Sequence, residues 1–168
     1  MSVHSLRVMG IDPGLAHTGY AVLELRDRKP VLVEGGIIHT AARDSMAHRL
    51  QEIYRGLMEA MEEFRPHRVA IEAAFANSLT PKAALLVGQV RAICLLAAAQ
   101  KCVQPDTYSP TEVKKALTGR GRASKAQVQG MVRAALNWPE VIKPDHVADA
   151  CALALCYLQR QRDLEIGL

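Results

Sequence analysis

The chain has 168 residues, 49% of them hydrophobic, which excludes a disordered chain and allows one compact domain with a real core. Its net charge is +4, and six bases with no acid fall between Lys114 and Arg133, so a polyanion is a candidate partner. The longest apolar run, Ala92 to Ala99, falls far short of the roughly 18 to 20 residues of a membrane span, and the N-terminus does not read as a signal peptide. A cytoplasmic protein with no membrane partner is expected.

The elements follow in chain order. Residues 6–12 read as an apolar strand ending in Asp12, with Pro13 and Gly14 forcing a turn. A second strand runs from 18 to 25, and Arg26 to Pro30 reads as a polar turn. A third strand covers 31–39, with Gly35-Gly36 as the expected bulge or kink. Short connections make these three an antiparallel meander.

Helical spacing then takes over at 44–64, through Met46, Leu50, Ile53, Leu57, Ala60, Met61 and Phe64, and Pro66 ends it. Arg68 to Ile71 is a short apolar strand ending in Glu72. A strand that returns after a helix runs parallel to the first, so Glu72 is expected at the same sheet end as Asp12.

Residues 80–100 form a helix apolar on nearly all sides, hence buried centrally or in a subunit interface. Asp106-Thr107-Tyr108 is a short fifth strand, and a helix opens at Pro110 with Ser109 or Thr111 as its cap. Thr118 to Ala123 is a Gly/Arg loop. Ser124 caps a helix to about Asn137, and a last helix runs from Asp145 to about Gln161. The expected fold class is α/β: one domain over 1–168, a mixed five-stranded sheet flanked by helices. The four cysteines, Cys94, Cys102, Cys151 and Cys156, lack C-x-x-C spacing and read as reduced packing residues, not as a zinc site.

Three acids stand at the ends of apolar elements: Asp12, Glu72 and Asp149, the last followed by the apolar segment Ala150 to Cys156. His146 precedes Asp149 by three residues and shares its helix face; Asp145 shares it approximately. One acid alone reads as a turn or a helix-dipole partner. Together they suit two Mg²⁺ or Mn²⁺ ions, hard cations that take oxygen ligands and cleave phosphodiesters.

At this point the chain resembles the RuvC family of Holliday junction resolvases, nucleases of RNase H-like fold. The resemblance spans nearly the whole chain and rests on ordered motifs. They are Gly10-Ile11-Asp12-Pro13-Gly14, Thr18-Gly19-Tyr20, Ala70-Ile71-Glu72 with Phe75, Gly88-Gln89, Val113-Lys114, Ser124 to Val128, and Ala148-Asp149-Ala150. It implies metal ligands at Asp12, Glu72 and Asp149, and a fourth at His146, where many members carry aspartate; neighbouring Asp145 is the alternative. It also implies a lysine near the scissile phosphate at Lys125, with Lys114 beside it.

Phe75 matches an aromatic that stacks on an unstacked base, a contact worth ~1–3 kcal/mol. Arg120 and Arg122 become backbone contacts, while Asn77, Ser78 and Lys82 become contributors to sequence preference. The resemblance implies paired symmetric nicks in a four-way DNA junction, two divalent ions per site, and a homodimer matching the junction's two-fold symmetry. It further implies RuvA and RuvB as branch-migration partners. The alternatives are a related nuclease on another branched or RNA-containing substrate, or a junction-binding protein without catalysis. An actin-like ATPase would need a second such domain. A histidine ligand predicts activity falling below pH ~6.5 and a preference for Mn²⁺ over Mg²⁺.

Overall fold

The computed structural model describes residues 5–73 and 80–165. Ten elements appear: β1 (Arg7–Asp12), β2 (His17–Arg26), β3 (Lys29–His39), α1 (Met46–Phe64) and β4 (Arg68–Glu72), then α2 (Pro81–Gln100), β5 (Gln104–Tyr108), α3 (Pro110–Thr118), α4 (Lys125–Ala135) and α5 (Asp145–Glu165). The five strands form one mixed sheet in the order β3-β2-β1-β4-β5. The first three are antiparallel, and β4 and β5 run parallel to β1. The expected element order and sheet are both found.

Period-two alternation divides the core. Val8, Ala21, Leu23 and Ala70 face α5, whose Ala150, Cys151 and Ala154 are fully buried. Met9, Ile11, Val22, Val69 and Ile71 face α1 and α2. Gly10 lets α5 sit directly on the strand: a Cβ there would lie 1.9 Å from the Ala150 carbonyl oxygen.

Several boundaries differ from the sequence reading. The turn after β2 is only Asp27 and Arg28, both left-handed (φ 48° and 63°), so Lys29 and Pro30 belong to β3. Two residues with positive φ match the twist of a tight hairpin, and an edge strand tolerates proline. The expected bulge at Gly35-Gly36 is also displaced. Val22 pairs with Glu34 and Leu23 with Leu32, leaving Val33 as the extra residue. The glycines instead make room: a Cβ on Gly35 would meet Val147, and one on Gly36 would meet the Tyr20 ring.

The helix starts follow the caps. Ser45, Thr80, Ser109 and Ser124 each accept a hydrogen bond from the backbone three residues on. Ser109 and Ser124 complete capping boxes with Glu112 and Gln127. Of the cysteines, Cys94, Cys151 and Cys156 are buried packing residues, whereas Cys102 is exposed. Helix α2 is long and apolar enough to cross a bilayer by composition. One face, with Val90, Cys94, Ala97 and Ala98, is buried in the core, while Leu85 and Leu96 are exposed.

Candidate active site

Parallel pairing brings two acids together. Ile11 pairs with Ile71, so Asp12 and Glu72 are the next residues on neighbouring strands. Both point to the α5 side of the sheet. Helix α5 begins above this end, because Gly19, opposite Asp12 on β2, leaves room for it. A Cβ on Gly19 would lie 2.4 Å from the His146 carbonyl oxygen. The Thr18-Gly19 motif is therefore structural: the buried Thr18 hydroxyl donates to the Gly14 carbonyl at 2.8 Å and fixes the turn after Asp12.

The result is a cleft of about 250 Å³ whose walls include Asp12, Glu72, Asp149, Lys114 and Lys125. Asp12 is only 13% exposed. Burial, the largest cause, and the Asp149 charge raise its carboxyl above the usual range, against the opposing hydrogen bond to His146. Glu72 is pushed up to about 7, first by burial and then by the charges of Asp12 and Asp149.

His146 and Asp145 take different places. The His146 ring lies against Asp12, with Nδ1 2.8 Å from Oδ2. Asp145 turns to the Lys125 ammonium at 3.1 Å, which also sits 3.2 Å from Asp149. Burial works against the charged lysine, but the two carboxylates outweigh it and hold its pKa above the ordinary value. Lys125 thus acts as a local counter-ion to the acids of α5.

The remaining expected residues are spread more widely. Lys114 lines the cleft, and Arg120 and Arg122 are exposed beyond it in the loop between α3 and α4. Lys82 is exposed in the first turn of α2. Phe75, Asn77 and Ser78 lie outside the described residues. The sequence reading missed His17, whose ring stacks on His146 with centroids 5.6 Å apart and planes 13° from parallel. No local signal links residues so distant in the chain.

The donor set suits a hard divalent cation: three carboxylates from separate elements and one imidazole, with the Asp12 and Glu72 carboxyls raised first by burial and then by neighbouring acids, both of which a bound cation would offset. Among the described residues, only Asp44, His48 and Glu52 bring three ligand atoms within 4.8 Å of one another. That group lies at the start of α1 and contains an ordinary i,i+4 pair, His48–Glu52 at 3.6 Å. The cleft acids do not bring three ligand atoms so close together.

A mixed sheet of this order, with acids from β1, β4 and α5 at one end, is the RNase H-like fold, the class to which the solved RuvC of Thermus thermophilus belongs. The family model described as crossover junction endodeoxyribonuclease RuvC matches residues 8–157. The RuvC of Caldanaerobacter subterraneus is 44% identical over 160 residues, covering 95% of this chain and 96% of that one. That of Pelotomaculum thermopropionicum is 46% identical over 150 residues, covering 89% and 91%. A solved structure of Thermus thermophilus RuvC in complex with a Holliday junction substrate superposes with a TM-score of 0.88 at 35% identity, covering 94% and 95%. The chain belongs to the RuvC family of crossover junction endodeoxyribonucleases.

Proposed function

We propose that this protein resolves four-way DNA junctions by metal-dependent hydrolysis of one phosphodiester in each of two symmetry-related strands. The observation that carries the reading is the meeting of Asp12, Glu72 and Asp149 in one cleft, with Lys114 and Lys125 on its walls. Asp12, Glu72, His146 and Asp149 would hold two divalent ions, Mg²⁺ or Mn²⁺. When bound, such ions activate the attacking water and stabilise the departing 3′-oxygen. The products are a 5′-phosphate and a 3′-hydroxyl.

The chain's own residues do the rest. Burial raises the carboxyls of Asp12 and Glu72, and at Glu72, pushed up to about 7, a cation competes with a proton. Lys125, released from Asp145 and Asp149, offsets the charge of the scissile phosphate, with Lys114 beside it. Arg120 and Arg122 bind backbone phosphates at a distance from the reacting bond. Phe75 stacks on an unpaired base, and Asn77 and Lys82 contribute to sequence preference.

Two matching nicks need two sites, so the active form is a C2 homodimer. Leu85 and Leu96 on α2, 64% and 47% exposed, are eleven residues apart and therefore share one face, which supplies an apolar interface. The homodimer receives junctions from the RuvA–RuvB branch-migration complex in the cytoplasm.

The test is cleavage of a labelled synthetic four-way junction beside a linear duplex and an RNA–DNA hybrid, with Mn²⁺ and with EDTA. Nicks confined to the junction, lost in EDTA and in Asp12→Asn, support the reading. Junction binding without nicks under any metal would replace it with a non-catalytic role.

A further inference from the structure

We propose that His17 is a positioning residue for His146. Its ring holds the His146 imidazole against Asp12 before any metal arrives. The inference rests on the metal-dependent reading above.

The His146 side chain is 43% exposed. Two contacts define its ring position: the 2.8 Å contact from Nδ1 to Asp12, and the near-parallel stack on His17. Gly19 brings the His146 backbone onto β2, so the ring lies over the start of that strand, where His17 stands. Neither contact alone fixes a half-exposed ring. The hydrogen bond sets which edge faces Asp12, and the stack sets the plane.

His17 is exposed, but its backbone is firmly held. Its neighbours are tied to two parts of the chain: Thr18 Oγ1 donates to the Gly14 carbonyl, and Thr40 bonds the carbonyls of Leu15 (2.5 Å, through its hydroxyl) and Ala16 (3.1 Å, through its amide). Across the ladder His17 faces His39, whose ring meets it edge-on at 4.9 Å and 85°. Three imidazoles thus run from the edge strand β3 to α5 and end on Asp12. A ligand held in place loses less rotamer freedom on binding, and that difference appears as affinity. Among the described residues the His17 nitrogens make no hydrogen bond, so the role belongs to the ring face.

The test compares His17→Ala and His17→Phe with the unmodified protein, using Mn²⁺ binding followed by electron paramagnetic resonance. Nitrogen-detected NMR of the His146 ring in EDTA and junction cleavage at varied Mn²⁺ complete it. His17→Ala is expected to weaken Mn²⁺ binding about three- to tenfold and to broaden or move the His146 ring signals. The Mn²⁺ concentration for half-maximal cleavage should rise by the same factor, with the rate at saturating Mn²⁺ and the melting temperature little changed. His17→Phe keeps a stacking face and is expected to stay within about twofold of the unmodified protein.

Unchanged affinity and ring signals in His17→Ala would overturn the proposal. So would a His17→Phe as weak as His17→Ala, which would assign the role to a nitrogen. If the unmodified protein neither bound Mn²⁺ nor cut junctions, the nuclease reading would fail. The NMR comparison would still decide whether His17 holds His146.

Discussion

His146 and Asp12, 134 positions apart in the chain, meet with 2.8 Å between Nδ1 and Oδ2. Asp145, one residue earlier on α5, turns instead to Lys125. This geometry favours His146 as the fourth ligand. An imidazole nitrogen suits softer ions better than an all-oxygen set does. His146→Asp should therefore raise Mg²⁺-supported cleavage relative to Mn²⁺, and His146→Ala should slow cleavage with both. Equal Mg²⁺ and Mn²⁺ rates in the unmodified protein, with His146→Ala unaffected, would refute the role.

The pH profile follows from the acids. A site whose Glu72 has been pushed up to about 7 takes up a cation in exchange for a proton. Cleavage at limiting Mn²⁺ should fall as pH drops from about 8 towards 6. Saturating Mn²⁺ should move the inflection to lower pH, because the ion competes with the proton. A profile flat from pH 6 to 8 at limiting metal would contradict this.

The same shift affects stability, and its sign is fixed. Glu72 holds its proton more tightly in the folded than in the unfolded chain, where its pKa is 4.5. Its ionisation therefore destabilises the metal-free fold progressively from pH ~4.5 to about 7. Glu72→Gln should stabilise the metal-free protein by about 1–3 kcal/mol at pH 8 and by little below pH 4.5. Cleavage should be lost in the same variant. Thermal melts in EDTA at both pH values check this, and a lower melting temperature at pH 8 would reverse the argument.

Lys125 balances the acids of α5, and the proposed mechanism has it offset the scissile phosphate when DNA is bound. Lys125→Ala should reduce cleavage about a hundredfold at saturating metal and change junction affinity far less. Lys125→Arg keeps the charge and should recover part of the rate. A loss confined to affinity would make Lys125 an ordinary backbone contact.

Gly10 tests the placement of α5. Gly10→Val drives a side chain into the Ala150 carbonyl and should cost about 1–3 kcal/mol. It should also displace Asp149 and His146 from Asp12, so cleavage falls even in the folded fraction. Full activity in a stable Gly10→Val would show that α5 need not sit so close.

Much of this arrangement was legible in the sequence, and the reasons are local. Asp12 and Glu72 each end an apolar strand, and a helix between parallel strands places both at one sheet end. Asp149 opens the buried stretch of α5. Gly35 and Gly36 misled because a glycine in a strand signals either a bulge or a close approach, and here the approach comes from Val147 and Tyr20. The actual bulge at Val33 has no local signature. Pro30 reads as a turn residue until β3 is known to lie at the sheet edge. The His17–His146 stack depends on how α5 crosses β2, which no spacing encodes.

The most direct test of the central claim is the cleavage pattern on one four-way junction labelled on each strand in turn, with Mn²⁺ present. Paired nicks at symmetric positions, leaving ligatable ends, are predicted for the unmodified protein. Asp12→Asn should lower the rate at least about a thousandfold while still binding the junction. Equal cutting of linear duplex, or full cleavage by Asp12→Asn, would contradict the account.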